Sequence, residues 1–597
     1  MVYFGPSGGC KTCRTRRVKC DQTKPHCNNC VRRHQTCPGY GDVFDAAHRS
    51  ENNVVLRRIE RQNAAQKKRP SNGTPSRDRS IVPSTLKPSP LVSPRGSGIA
   101  LCRVNSSSSS ENASVWDESD SSTSMDGRVS NNFTSIVPGV IRQDPKEASI
   151  CFFFHYYTGI VHDPQAKKSF TKLWQPMYHH SSADSPLRHA TAAVTVNIAM
   201  MWNFQGCDSP PARRLYAKAI SSTREALATP SKTSLDELLM TILLFDLYEA
   251  LLAHYLPELP QSGGHKQGAL ALLKLRGASN YATELGRELV TATRNALLHH
   301  ALSWRVALPP GAEEHLENPL VEDTRITQLD KIGMEIVDVQ SRLWSLKREA
   351  PLARSPIDRR QEYEKLIAEA VTIDTHLLTW KRSITFPHWH PHYLRRDEVT
   401  PSIVAAGFYG QRCSVWHDLA FSNIWNEWHR RRLLTLQMIR DVSATEPRIF
   451  ENHKYRAILD KANADMQASA DAICESVPCH LGDTVVPTNP VHSHEINFPY
   501  KDIVDQQTGQ TIRIPTDANY KTHAAASGGW VMFARIVVLY RLAEPEDDAL
   551  PLVLREGQLD WIKAQIKRLQ TIFLFCNPVW FKRLPQGRGT TTFNIES

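Results

Sequence analysis

CKTCRTRRVKCDQTKPHCNNCVRRHQTC, residues 10–37, is one C-x2-C-x6-C unit written twice, with cysteines at 10, 13 and 20 and again at 27, 30 and 37. Each unit offers three thiolates. Zinc in a closed structural site takes four ligands in a tetrahedron, so two zinc ions need eight bonds from six sulfurs. Two sulfurs must therefore bridge, and the symmetry of the repeat selects the first cysteine of each half, Cys10 and Cys27. A disulfide scaffold also uses six cysteines. Against it, the start MVYFGPSGG has neither a basic nor an apolar export segment, and the other seven cysteines are scattered and odd in number. A redox C-x-x-C needs a strand–helix context that the basic flanks do not offer. Two one-zinc fingers would need eight ligands, and His26 and His34 stand at the wrong spacing. The reading is a two-zinc cluster held by Cys10, Cys13, Cys20, Cys27, Cys30 and Cys37.

Between these cysteines lie Lys11, Arg14, Arg16, Arg17, Lys19, Lys24, Arg32 and Arg33 against Asp21 alone, a formal +7. Six thiolates and two divalent ions subtract only two charges, so the folded module stays cationic. Residues 1–70 carry +10 of the chain's +11, and the other 527 residues are nearly neutral. A compact cation of this kind binds a polyanion, chiefly through counterion release.

From Gly9 to Cys30, GCKTCRTRRVKCDQTKPHCNNC, with its completion at Cys37, the sequence resembles the fungal zinc binuclear cluster (Zn2Cys6) transcription factors. The resemblance implies a short helix whose N-terminal end enters the major groove of double-stranded DNA and reads a CGG-like triplet. Carried over by position, Arg16 and Arg17 face base edges, where a planar guanidinium can donate twice to guanine. Arg14, Lys19, Lys24 and Arg32 clamp phosphates, which sets register without reading sequence. Pro25 is the loop proline between the halves. The implied protein is a nuclear regulator of RNA polymerase II transcription and not an enzyme.

Residues 1–9 read as a tail, 10–40 as the DNA-binding module and 41–69 as a basic linker. In that linker Val54, Val55 and Ile59 form a two-turn apolar stripe suited to a homodimer contact. Arg57, Arg58, Arg61 and Lys67-Lys68-Arg69 form a nuclear-import type cluster. Residues 70–143 are rich in Ser, Pro, Asn and Asp, with serine throughout 106–110. Such a stretch cannot bury enough apolar surface to offset its ordering entropy, and it is expected to be a disordered spacer. Acids with a few large apolar residues at 115–118 and 120–126 suit a phosphorylatable patch.

Asp144-Pro145-Lys146-Glu147 opens a long helical region, with an N-cap acid and a proline at the first helical position. Helical periodicity follows over 190–202, 215–227, 235–255, 284–306, 330–347, 361–380, 403–432, 455–476, 524–542 and 559–575. Asp246 and Glu249 argue against a membrane span in 235–255. Residues 144–597 are thus expected to be a large all-α domain of packed helical hairpins, as one extended body or two subdomains. Asp236-Glu237-Leu238-Leu239, Leu247-Tyr248-Glu249 and His265-Lys266-Gln267-Gly268-Ala269-Leu270-Ala271-Leu272-Leu273-Lys274-Leu275-Arg276-Gly277 resemble the second class of fungal-specific transcription factor domain. That likeness implies a regulatory domain with transcription coregulators and an unidentified small-molecule effector as partners. Within the motif, Gly268 permits close helix approach, Leu272, Leu273 and Leu275 fill a core, and Gly277 ends the helix.

A metal-dependent enzyme or ligand-binding helical protein with an accessory zinc module is the competing reading. Its candidates are the runs His388-Trp389-His390-Pro391-His392 and His492-Ser493-His494-Glu495. Pro387 and Pro391 make the first a loop whose alternating histidines point apart, and neither run has H-E-x-x-H spacing. Neither run contains a G-x-S-x-G elbow or a G-x-x-x-x-G-K-[ST] loop.

Overall fold

The computed structural model describes residues 10–37, except 17, 22, 24, 25, 34 and 36, and residues 144–573, except 159–162, 167–169, 204–208, 229–234, 254–263, 317, 319, 351–353, 505–508, 517 and 546–549. The linkers at 41–69 and 70–143, with the Val54–Ile59 stripe, the basic cluster and the acidic patch, lie outside the described residues. So do Arg17, Lys24 and Pro25, and the side chains of Lys11 and Arg14.

The module contains two short helices, α1 (Lys11–Thr15) and α2 (Asn28–Val31), one for each half of the repeat. The helical body runs through α3 (Pro145–Tyr157), α4 (Thr171–His180), α5 (Pro186–Trp202), α6 (Pro210–Ala228), α7 (Leu235–Ala253), α8 (Gly264–Arg276), α9 (Glu284–Trp304) and the one-turn α10 (Glu313–Leu316). It continues with α11 (Arg325–Arg348), α12 (Pro356–Ser383), α13 (Pro401–Gly407), α14 (Leu419–Thr445), α15 (His453–Glu475), α16 (Val477–Leu481), α17 (Tyr520–His523), α18 (Gly529–Ala543) and α19 (Gln558–Phe573).

Helix starts follow side-chain caps. Asp144 accepts from Lys146 N at 2.9 Å, Ser185 from Arg188 N at 3.2 Å and Ser355 from Asp358 N at 3.1 Å, each followed by proline at the first helical position. Buried apolar side chains join into one contiguous core from Ile150 to Phe573, with small satellites under the strands and beside α17. At its centre α14 packs against α11, α12, α15 and α18, and it is buried on every face.

The segment 403–432 departs from the expected single helix. Here α13 stops at Gly407, β2 (Arg412–Val415) pairs antiparallel with β1 (His392–Arg395), and only then does α14 begin. Gly407 has φ +137°, and a Cβ there would lie 2.3 Å from the Gln565 side chain. Gly410 has φ +57°, so the backbone leaves the helical region twice in four residues. A second hairpin, β3 (Lys501–Val504) with β4 (Thr511–Ile514), also lies within the all-α reading. At 524–528 a π-turn precedes α18, where a Cβ on Gly528 would lie 2.2 Å from the His480 carbonyl. The stretch Tyr520–Ala543 is long and apolar enough to cross a membrane, yet 61% of its most apolar window is buried inside the protein.

Candidate metal centre and nucleic-acid interface

The six sulfurs gather into two overlapping tetrads, Cys10, Cys13, Cys20, Cys27 and Cys10, Cys27, Cys30, Cys37, each with its Sγ atoms within 4.8 Å of one another. Cys10 and Cys27 belong to both. The Cys10–Cys27, Cys10–Cys30 and Cys13–Cys27 Sγ distances are each 3.7 Å, and Cys13–Cys30, across the tetrads, is 3.9 Å. A ZnS4 tetrahedron with Zn–S of about 2.3 Å has an edge of about 3.8 Å, so the donor set fits zinc. A disulfide would need about 2.05 Å, and all the described cysteines are free thiols.

Backbone donors repeat the twofold pattern. Cys13 N donates to Cys10 Sγ at 3.4 Å and Cys30 N to Cys27 Sγ at 3.3 Å. Cys10 N donates to Cys20 Sγ and Cys27 N to Cys37 Sγ, both at 3.5 Å. The two shared sulfurs thus stand at the starts of α1 and α2, where N–H groups without helical partners stabilise anionic sulfur. Burial raises the Cys13 thiol to about 12 and raises Cys27 as well. These two thiols therefore hold their protons until a cation displaces them.

Of the basic candidates, Lys19 and Arg32 are exposed, and Arg16 is half-buried with Nη1 donating to Gln35 Oε1 at 2.7 Å. Sequence reasoning passed over the polar ties between the halves. Asn29 Nδ2 donates to the Lys19 carbonyl at 2.7 Å, and Asp21 Oδ2 accepts from Asn28 N at 3.0 Å. The placement of Asp21 as the one acid in a cationic stretch was the available signal.

Elsewhere the metal candidates disperse. His388 Nε2 lies 2.9 Å from Asp163 Oδ2, His390 Nε2 lies 3.0 Å from the Ile384 carbonyl, and His392 meets the His417 ring edge-on at 5.5 Å. His492 and His494 are exposed beside Glu495. Among the described residues, the groups that bring three or more metal-ligating side chains together both lie in the cysteine module.

The His265–Gly277 motif has an unanticipated second role. Arg276 pairs with Asp236 and Lys266 with Asp246, and His265 Nε2 lies 2.7 Å from Glu249 Oε1. Two ion pairs and one histidine–carboxylate contact therefore zip α8 antiparallel against α7, and Tyr216 of α6 adds its hydroxyl 3.1 Å from His265 Nε2. Leu272 and Leu273 are buried and Gly277 has φ +54°, as expected, but Leu275 is 36% exposed. Two residues along a helix turn about 200°, which carries Leu275 to the face opposite Leu273.

Residues 8–44 match the family model of the fungal Zn(2)-Cys(6) binuclear cluster domain, and the cluster binds two zinc ions. White-opaque regulator 2 of Candida albicans is 50% identical over 44 residues, 7% of this chain and 10% of that protein. Transcriptional regulatory protein moc3 of Schizosaccharomyces pombe is 59% identical over 32 residues, 5% and 6% of the two chains. Pestheic acid cluster transcriptional regulator 3 of Pestalotiopsis fici is 59% identical over 34 residues, 6% of each. The chain thus spans a tenth or less of the length of these relatives, and the likeness is that of the module. No solved structure matches.

Proposed function

We infer that the protein is a nuclear, sequence-specific DNA-binding regulator of RNA polymerase II transcription. The observation that carries the reading is the pair of tetrads sharing Cys10 and Cys27 in a stretch of net charge +7. Cys10, Cys13, Cys20, Cys27, Cys30 and Cys37 hold two zincs, with Cys10 and Cys27 bridging. Bound zinc supplies structure rather than reactivity, because every position is filled by protein sulfur. Arg16 and Arg17 read a CGG-like triplet in the major groove, and Arg14, Lys19, Lys24 and Arg32 hold phosphates. The relatives' names, all of regulators, support this assignment. In this reading residues 41–69 contribute a homodimer contact, 70–143 a disordered spacer, and 144–597 a regulatory domain of the second fungal-specific class that meets coregulators and a small effector. Selection of bound duplexes from a random pool with zinc-loaded full-length protein tests it. A recovered CGG-containing motif is expected, and binding indifferent to base order would overturn it.

A further inference from the structure

A cavity of about 50 Å³ lies where the end of α9 meets α14 and α18. Its polar lining is cationic: Arg430 from α14, Arg305 following α9 and Arg541 from α18, with His299 and Ser303 beside them. Its other walls are apolar, including Leu302, Leu434 and Val537.

The charge behind this lining is unevenly matched. Glu427, buried on α14, contacts three guanidiniums, Arg430 at 3.1 Å, Arg431 at 3.2 Å and Arg535 at 3.1 Å. Arg431 has a second carboxylate, Asp330, at 2.8 Å. For Arg430 and Arg535, Glu427 is the one carboxylate in contact among the described residues, and their other acceptors are the neutral Ser303 Oγ and Asn423 Oδ1. Arg430 is 2% exposed and Arg535 8%. Two buried cations sharing one anion leave a positive field in a low-dielectric interior, and that is costly unless an anion completes it. Consistent with this field, burial and then Arg430 hold the His299 imidazole well below its usual pKa.

We propose that this cavity binds a small organic carboxylate, its head group on Arg430 and Arg541 and its short alkyl tail against Leu302, Leu434 and Val537. The volume accommodates about four water-sized groups, the size of acetate or propionate, and it is too small for a nucleotide. The apolar walls favour such a tail over sulfate or chloride. Its consequence for regulation rests on the reading of the helical body as an effector-sensing domain, whereas the binding itself does not.

The test uses zinc-loaded full-length protein titrated with acetate, propionate and butyrate against chloride at matched ionic strength, followed by calorimetry and thermal unfolding. Saturable binding of propionate beyond chloride is expected, raising Tm by about 2–5 °C near saturation. Arg541→Met, which removes a lining charge, and Ala534→Leu, which fills the space, are each expected to weaken Kd by about tenfold or more. Both positions are only half-buried, so the variants avoid disturbing the Glu427 cluster. Chloride acting as well as propionate, or both variants binding like the parent, would sink the proposal. Sequence-specific DNA binding, measured on the same samples without carboxylate, reports separately on the regulator reading.

Discussion

Cys20 is the least enclosed of the six sulfurs, half-buried while the other five are buried. Each tetrad nevertheless has only four donors, so no spare ligand replaces a lost one. Cys20→Ala is expected to release zinc and unfold the module, because metal-binding free energy on the order of 10 kcal/mol is most of the folding free energy of such a unit. Zinc content and near-ultraviolet spectra of the purified protein check this. The cations separate by role. Arg17→Ala is expected to cost about 1–3 kcal/mol on the cognate duplex and far less on a scrambled one. Lys24→Ala is expected to weaken both alike and to reduce the salt slope by about one unit. Equal losses on both duplexes for Arg17→Ala would remove it from base reading.

Between elements, the α7–α8 zipper shows how one motif serves two purposes. Leu272 and Leu273 face the core while Arg276, Lys266 and His265 reach Asp236, Asp246 and Glu249 in reverse order, fixing the antiparallel register. Asp236→Ala leaves the Arg276 guanidinium, 2% exposed as a side chain, without its carboxylate, and is expected to cost about 2–4 kcal/mol of stability. Urea unfolding measures this, and a change under about 0.5 kcal/mol would mean that water already serves Arg276. Helix starts at Asp144 and Ser185 were legible because a cap acts within three residues. The break at 407–418 was not, since it depends on Gly407 meeting Gln565, more than a hundred positions away, and on β1 pairing with β2.

Across the molecule, buried histidines couple stability to pH. His480 is fully buried on α16 with Nε2 2.9 Å from Ser422 Oγ, and burial, with Arg535 adding, lowers its pKa to about 3. Unfolded histidine titrates near about 6.5, so below that value the unfolded chain holds a proton that the folded chain refuses. Stability is therefore full above about pH 6.5, falls as pH drops, and loses about 2 kcal/mol by pH 5 through this residue alone. Unfolding at pH 7.5 and pH 5 is expected to show that difference shrinking by the same amount in His480→Gln. Zinc removal acts elsewhere. The module contributes five helical residues in α1 and four in α2, so a chelator is expected to abolish DNA binding while leaving far-ultraviolet helicity nearly unchanged.

The metal centre was readable from spacing because coordination is a short-range code: six sulfurs within 28 residues leave few ways to satisfy two tetrahedral ions. Amphipathic periodicity likewise disclosed most of the helices. Packing had to supply the rest. The consecutive Arg430, Arg431 and Arg432 sit on a helix enclosed on all sides, beside acids brought from α11, α12 and α15. Nothing local distinguishes a buried arginine from an exposed one. The difference arises when helices a hundred residues apart meet, and the balance between desolvation and pairing is settled at that contact.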